Sequence, residues 1–161
     1  MKQSVSLPDL CDAYPNEVRV ADPLLQNYGG QVAFSGPIKT IACFEDNALV
    51  AERVQEPGGG GVLVVDAGGS LRCEMLGDNL AQKAVDNDWA GIIIYGCIRD
   101  VEIIRRMPLG VAALATRHMK SVKRGQGRRD EPVGFAGIEW LHENHVYVDE
   151  NGILVAKNKL V

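Results

Sequence analysis

Apolar residues come in two patterns along this chain, continuous short runs and stripes of helical period, and the two alternate through its middle. "GVLVVDAGGS" (61–70), "GIIIYG" (91–96) and "LGVAALAT" (109–116) carry few polar residues before their ends, as strands buried on both faces do. Between the first two, "GDNLAQKAVDNDWA" (77–90) sets Leu80, Ala81, Ala84 and Val85 on one face, which predicts an amphipathic helix. Asn47 to Gln55 reads as a shorter helix that "EPGGGG" stops. A third, from about Asp100 to Met107, is closed by Pro108. Upstream, after a polar start, Gln31 to Phe34 and Pro37 to Phe44 read as two short strands broken by Ser35-Gly36. "SLRCEML" continues extended, Arg117 to Asp130 is a basic loop, and the tail alternates like β structure. Asn151-Gly152, between "HVYVDE" and "ILVA", predicts a hairpin. Strands alternating with helices, with extra β structure at both ends, define an α/β chain with a mixed sheet. No repeat, heptad or linker divides it, so one domain over residues 1–161 is expected.

Composition narrows the function classes. With 161 residues, 46% of them hydrophobic and 24% charged, the chain suits a soluble globular domain with a substantial core. A formal net charge of −4 argues against a surface built for nucleic acid. The loop "TRHMKSVKRGQGRRDE" is the local exception, but it has no aromatic residue to stack bases, so no direct nucleic-acid binding is expected. Cys11, Cys43, Cys73 and Cys97 never form C-x-x-C, which fits reduced thiols in the cytoplasm better than zinc or disulfides. No apolar run is long enough for a signal peptide or a membrane span, and no membrane partner is expected.

Candidate chemistry lies at the strand ends. "EPGGGGVLVV" precedes a strand, whereas phosphate loops follow one, so it reads as a flexible loop. "VLVVDAGGSLR" begins as nucleotide or S-adenosylmethionine sites often begin, yet it lacks a second spaced glycine and continues extended, so a tight turn is expected. In "MLGDNLAQKA", Asp78 can cap the helix, a contribution of about 0.5–2 kcal/mol. Alternatively, the amides from Gly77 to Leu80 can face an anion. Arg99-Asp100 follows the "GIIIYG" run, at a position where α/β proteins bind ligands. Asp100 could cap the next helix with Arg99 in a surface ion pair, or the pair could offer a carboxylate to a metal and a guanidinium to an anionic substrate. Mg²⁺ is commonly held by only one or two protein carboxylates, so a single Asp suffices chemically. His142 and His145 fall in turn and strand and read as a solvated pair rather than a metal site.

Taken together, "LCDAYP", "FSGPIKT", "CFEDN", "VLVVDAGGSLR", "GDNLAQKA", "DWAGIIIYGCIRDV" and "VYVDENGILV" resemble the family of regulators of ribonuclease activity A and 4-hydroxy-4-methyl-2-oxoglutarate aldolases, nearly end to end. The resemblance implies a swivelling β/β/α-type fold assembling as a homotrimer, with pairing into a hexamer as a further state. Catalytic members carry an Asp, twenty intervening residues, then Arg-Asp, and Asp78 followed by residues 79–98 and Arg99-Asp100 meets that spacing. By likeness, Asp100 would bind a divalent cation, Mg²⁺ or Mn²⁺. Arg99 would hold the substrate carboxylate and carbonyl oxygens, and the amides of Gly77, Asp78, Asn79 and Leu80 the rest of the pyruvate moiety. The expected activity is metal-dependent cleavage of 4-hydroxy-4-methyl-2-oxoglutarate and 4-carboxy-4-hydroxy-2-oxoadipate, with oxaloacetate decarboxylation as a side reaction. Cleavage leaves a pyruvate enolate, whose charge needs a metal or a lysine Schiff base, and no lysine sits at a strand end in an apolar setting. Asp78 is the candidate for proton transfer. The alternative is a non-enzymatic regulator with a ribonuclease partner. The tail departs from the family pattern, and Glu143, Asp149 and Glu150 all compete as the acidic residue that some family aldolases take from a neighbouring subunit.

Overall fold

The computed structural model describes residues 5–161. Its centre is a mixed sheet whose parallel part comprises β3 (Phe34–Ala42), β4 (Val62–Asp66), β5 (Glu74–Leu76), β6 (Gly91–Ile98) and β7 (Gly110–Thr116). Antiparallel strands extend it on both sides. β11 (His145–Asp149), β12 (Gly152–Ala156) and β1 (Val18–Val20) continue outward from β3, β8 (Arg128–Arg129) pairs with the end of β3, and β2 (Gln26–Asn27) flanks β7. The order is β1-β12-β11-β3-β4-β6-β7-β2.

The continuous apolar runs are explained by burial on both faces. Leu63 and Val65 of β4, with Ile92 and Ile94 of β6, point into one core. Val62, Val64 and Ile93 point into the other. The first core is covered by α2 (Ala48–Val54), α3 (Asp78–Asp86) and α4 (Val101–Ile104). Helix α3 buries the small residues Ala81 and Ala84, and Leu80 and Val85 pack half-buried beside them, so the expected apolar face is the one that docks. The second core is closed by a hairpin of β9 (Val133–Phe135) and β10 (Ile138–Trp140), where Phe135 stacks between Tyr95 and Trp140 at 5.0 and 4.6 Å.

Four expectations need correction. The two runs expected within residues 31–44 are one strand, β3 (Phe34–Ala42), because Ser35 and Gly36 pair with Tyr147 and Val146 of β11 before the strand's second half pairs with β4. The glycine that looked like a break allows a close approach, since a Cβ at Gly36 would lie 2.3 Å from the Gly60 carbonyl oxygen. The polar start contains a helix, α1 (Leu7–Ala13), capped by Ser6 and packed through Leu7 and Leu10 on Tyr147 and Leu154. The helix expected to reach Met107 is the four-residue α4. At the C-terminal hairpin, Asp149 pairs with Gly152, so Glu150-Asn151 form the turn and Gly152, at φ 141°, opens β12.

The element that places the site is β5. Strand β4 ends at Asp66 beside Tyr95, while β6 runs on to Ile98. Gly68 and Gly69, both at positive φ, turn the chain so that β5 takes over alongside the last residues of β6. The ladder continues one residue further, where Arg99 N–H donates to the Leu76 carbonyl at 3.0 Å. Arg99-Asp100 and Gly77-Asp78 therefore leave adjacent strand ends together.

Candidate active site

Asp100 is the first residue beyond β6 to break the extended chain, at φ 57° and ψ 38°. This left-handed conformation is uncommon outside glycine, and Asp and Asn tolerate it best. Its side chain makes no cap on α4. Instead Oδ2 accepts the Asp78 N–H at 3.0 Å, so the carboxylate caps α3, across the site. The approach is tight, because a Cβ on Gly77 would stand 2.8 Å from that oxygen. Gly77 is the N-cap residue of α3, and Asp78, expected as the cap, is the first helical residue. Asp78 Oδ1 accepts the Asn79 N–H at 3.0 Å. Two of the amides expected to face an anion, those of Asp78 and Asn79, thus already donate to carboxylate oxygens of the chain itself.

Arg99 sits between β5 and the segment after β7. Its Nη1 donates to the His118 carbonyl at 3.2 Å, and Nε lies 3.6 Å from Glu74 Oε1 and 3.9 Å from Asp100 Oδ2. Among the described residues, Nη2 has no partner. The Arg99 and Asp100 side chains are 38% and 31% exposed, so both can meet a ligand from solvent. Glu74 is the participant that sequence reasoning missed, with a side chain only 5% exposed. Burial pushes its carboxyl pKa up, against the pull of Arg99 and Lys123.

The segment over this site is tied down by Asp46, whose carboxylate accepts N–H groups from Ala48, Arg124 and Gln126 at 2.9–3.0 Å. Part of the basic loop is engaged within the chain. Arg129 meets Glu52 and Glu56 at 2.6 and 2.8 Å, and Lys123 donates to Asn47 at 2.7 Å. A cleft of about 470 Å³ opens beside Cys43, Phe44, Asp66 and Arg128, and its lining includes neither Arg99 nor Asp100. Burial, aided by Asp46 and Asp66, pushes the Cys43 thiol up to about 12, which makes it a poor nucleophile. The turn after β4 leads into β5 and opens no helix, as the tight-turn expectation requires. His142 lies 3.5 Å from Asp130 and 3.4 Å from Glu143, while His145 opens β11 against Tyr147.

The donor set fits a hard divalent cation and does not fit zinc. Asp100 Oδ1 accepts no hydrogen bond among the described residues, which leaves one carboxylate oxygen free in a polar, half-exposed place. No group of three or more His, Cys, Asp or Glu side chains suited to a metal occurs among the described residues. Mg²⁺ and Mn²⁺ accept such a sparse protein contribution, with water and substrate filling the shell, whereas structural zinc does not. Of the acidic residues considered as a neighbour's contribution, Glu143 is paired with Lys39, and both Asp149 oxygens accept backbone N–H groups. Glu150 is exposed and carries no hydrogen bond or ion pair among the described residues.

A mixed sheet with helices on one face and paired strand ends presenting Gly-Asp and Arg-Asp defines a protein of the RraA-like family, described as Aldolase/RraA, whose profile matches residues 7–155. The chain belongs to that family. A protein of Pseudomonas fluorescens strain Pf0-1, named "Putative 4-hydroxy-4-methyl-2-oxoglutarate aldolase", is 52% identical over 153 residues, covering 95% of this chain and 94% of its own. A protein of Ectopseudomonas mendocina with the same name is 54% identical over the same length. Among solved structures, the RNA-processing inhibitor RraA of Thermus thermophilus superposes with a TM-score of 0.95 at 39% identity, covering 99% of this chain and 96% of its own. A Geobacillus kaustophilus protein described as an S-adenosylmethionine:2-dimethylmenaquinone methyltransferase gives 0.94 at 46% identity, with 97% of each chain covered.

Proposed function

We propose that this chain is a divalent-metal-dependent lyase that cleaves 4-hydroxy-2-oxo acids, 4-hydroxy-4-methyl-2-oxoglutarate and 4-carboxy-4-hydroxy-2-oxoadipate among them, and decarboxylates oxaloacetate as a side reaction. The observation that carries this reading is the contact of Asp100 Oδ2 with the Asp78 amide. It brings a free carboxylate oxygen, a guanidinium edge and the N-terminus of α3 to one point.

Each residue then has a role. Asp100 would hold Mg²⁺ or Mn²⁺ through Oδ1. When bound, the cation supplies the electron sink that a pyruvate enolate requires. Arg99 grips the carboxylate and 2-oxo oxygens through its free Nη2 edge and adds positive charge where the enolate develops. The backbone from Gly77 through Asp78 and Asn79 to Leu80 orients the pyruvate half, as those amides already do for the chain's own carboxylates. Asp78, through its second oxygen and a water, takes the proton of the C4 hydroxyl as the C3–C4 bond breaks. The same proton returns at C3 to release pyruvate. Loss of CO₂ from oxaloacetate leaves the same enolate on the same Arg99 grip; that substrate has no C4 hydroxyl, so the proton added at C3 comes from water.

A lysine imine is the other route to such an enolate. The lysine whose charge reaches Glu74 is Lys123, which is exposed and hydrogen-bonded to Asn47 rather than desolvated. Pyruvate release from oxaloacetate should therefore stop in EDTA and return with Mg²⁺ or Mn²⁺, while borohydride with pyruvate should not inactivate. Activity that survives EDTA and is trapped by borohydride would overturn the mechanism.

The half-open site also bears on assembly. Phe44, Leu71, Met119 and Val122 are exposed apolar side chains, and Met119 and Val122 lie on the segment that covers Glu74. A homotrimer, singly or paired as a hexamer, would cover them and bring a neighbour's acidic residue to the substrate, with Glu150 the uncommitted candidate. Light scattering at micromolar concentration should show a mass of three or six chains, and a stable, active monomer would contradict this. The regulator reading draws on the family description, Aldolase/RraA, and on the Thermus relative's name. A parent protein inactive on both 2-oxo acids with either metal would replace the lyase with a ribonuclease-binding regulator.

A further inference from the structure

Glu74 is a carboxylate where the fold asks for none. It opens β5, whose other residues, Met75 and Leu76, are core, and its Oε2 is buried without a hydrogen-bond partner. A buried carboxylate with an orphan oxygen is destabilising relative to an apolar residue of similar size. The groups facing it are Arg99 from the end of β6 and Lys123 from the covering loop, with Asp100 opposing them and the Ser121 N–H also favouring the charged carboxylate. The loop is stitched to the same place, since Glu74 N–H donates to the Met119 carbonyl at 2.8 Å, one residue from the carbonyl that receives Arg99 Nη1.

Arg99 Nε is likewise buried without a hydrogen bond, and its 3.6 Å separation from Glu74 Oε1 is an ion pair slightly too long to be one. A shift of a few tenths of an ångström joins them. A guanidinium is planar, so fixing Nε and Nη1 fixes the direction of Nη2, the edge left for a ligand. We infer that Glu74 is a positioning residue, which with the His118 carbonyl clamps two edges of Arg99 and aims the third at the substrate carboxylate. This rests on the reading that Arg99 binds a 2-oxo acid.

The test compares Glu74→Met and Glu74→Gln in the full chain. The first readout is the arginine Nε–H region of a proton–nitrogen NMR correlation spectrum, with the Arg99 signal assigned by its loss in Arg99→Lys. The others are calorimetric binding of Mn²⁺ alone, and of oxalate, an enolpyruvate mimic, in the presence of Mn²⁺. Glu74→Met should melt no lower than the parent and bind Mn²⁺ equally well. It should lose the protected Arg99 Nε–H signal and bind oxalate about 10–100-fold more weakly, the scale of a misplaced catalytic group. Glu74→Gln keeps an oxygen acceptor and should retain the signal and most of the oxalate affinity, which a purely structural role would not distinguish. If the methionine variant does not fold, the glutamine variant decides: loss of the signal or of oxalate affinity there overturns positioning. An unchanged Arg99 signal or unchanged oxalate affinity in Glu74→Met does the same. If oxalate fails to bind the parent, the 2-oxo acid reading falls, and the NMR comparison still decides the Glu74–Arg99 contact.

Discussion

Asp100→Asn is expected to leave the protein folded and to lower metal-dependent pyruvate release by about 10²–10³-fold, the scale of losing a principal stabiliser of developing charge. Asparagine tolerates the left-handed conformation that Asp100 adopts, and its side-chain oxygen can still accept the Asp78 N–H. Only the negative charge disappears, and with it the affinity for a divalent cation. Raising Mg²⁺ should not restore turnover, and Mn²⁺ binding followed by calorimetry should vanish in parallel. Asp100→Ala is the coarser variant. It also removes the cap of α3, at about 0.5–2 kcal/mol, and places alanine in a left-handed conformation that costs about 1–2 kcal/mol. Near-parental activity of Asp100→Asn on either 2-oxo acid would remove Asp100 from the metal site.

Arg99→Lys should separate substrate binding from metal binding. Lysine keeps the positive charge but presents a single ammonium in place of a planar fork. It cannot meet the His118 carbonyl, approach Glu74 and hold a substrate carboxylate at once, as the guanidinium geometry allows. Mn²⁺ affinity should stay close to the parent's while turnover falls by about 10²–10³-fold, as when a transition-state donor is removed. Parental kcat and KM in Arg99→Lys would show that the fork is not used, and loss of Mn²⁺ binding would show that Arg99 supports the metal site instead.

What the sequence made legible divides along the range of the interactions involved. Strands β4, β6 and β7 and helix α3 are written in local periodicity, because burial on two faces or on one stripe imposes a pattern that a short window reveals. Helix α1 was hidden because only Leu7 and Leu10 are fully buried in it, and its acceptance depends on Tyr147 and Leu154 far along the chain. The break at Ser35-Gly36 was a sound local signal overridden by pairing with β11. In the site, Arg99-Asp100 stood out as charge at a strand end. Glu74 did not, because a glutamate between cysteine and methionine in an extended run looks like a solvent-facing position. It is buried by the segment around Met119 and Ser121, more than forty residues away, and no local pattern encodes that cover. Asp100 likewise reads as the cap of the helix that follows it, whereas the structure spends it on the helix across the site.

The strand order carries a consequence for how this chain survives its own synthesis. Strand β6, "GIIIYGCI", is the type of segment that stacks into cross-β aggregates, being apolar, uncharged and free of proline. It lies inside the sheet, while the ends of the strand order are β1, of three residues, and β2, of two. Strands that short, carrying Arg19 at one end and Gln26-Asn27 at the other, offer a poor template for a passing chain. The sticky segment is thus shielded as soon as β4 and β7 pair on either side of it, and the two ends of the strand order are left too short to template a further strand.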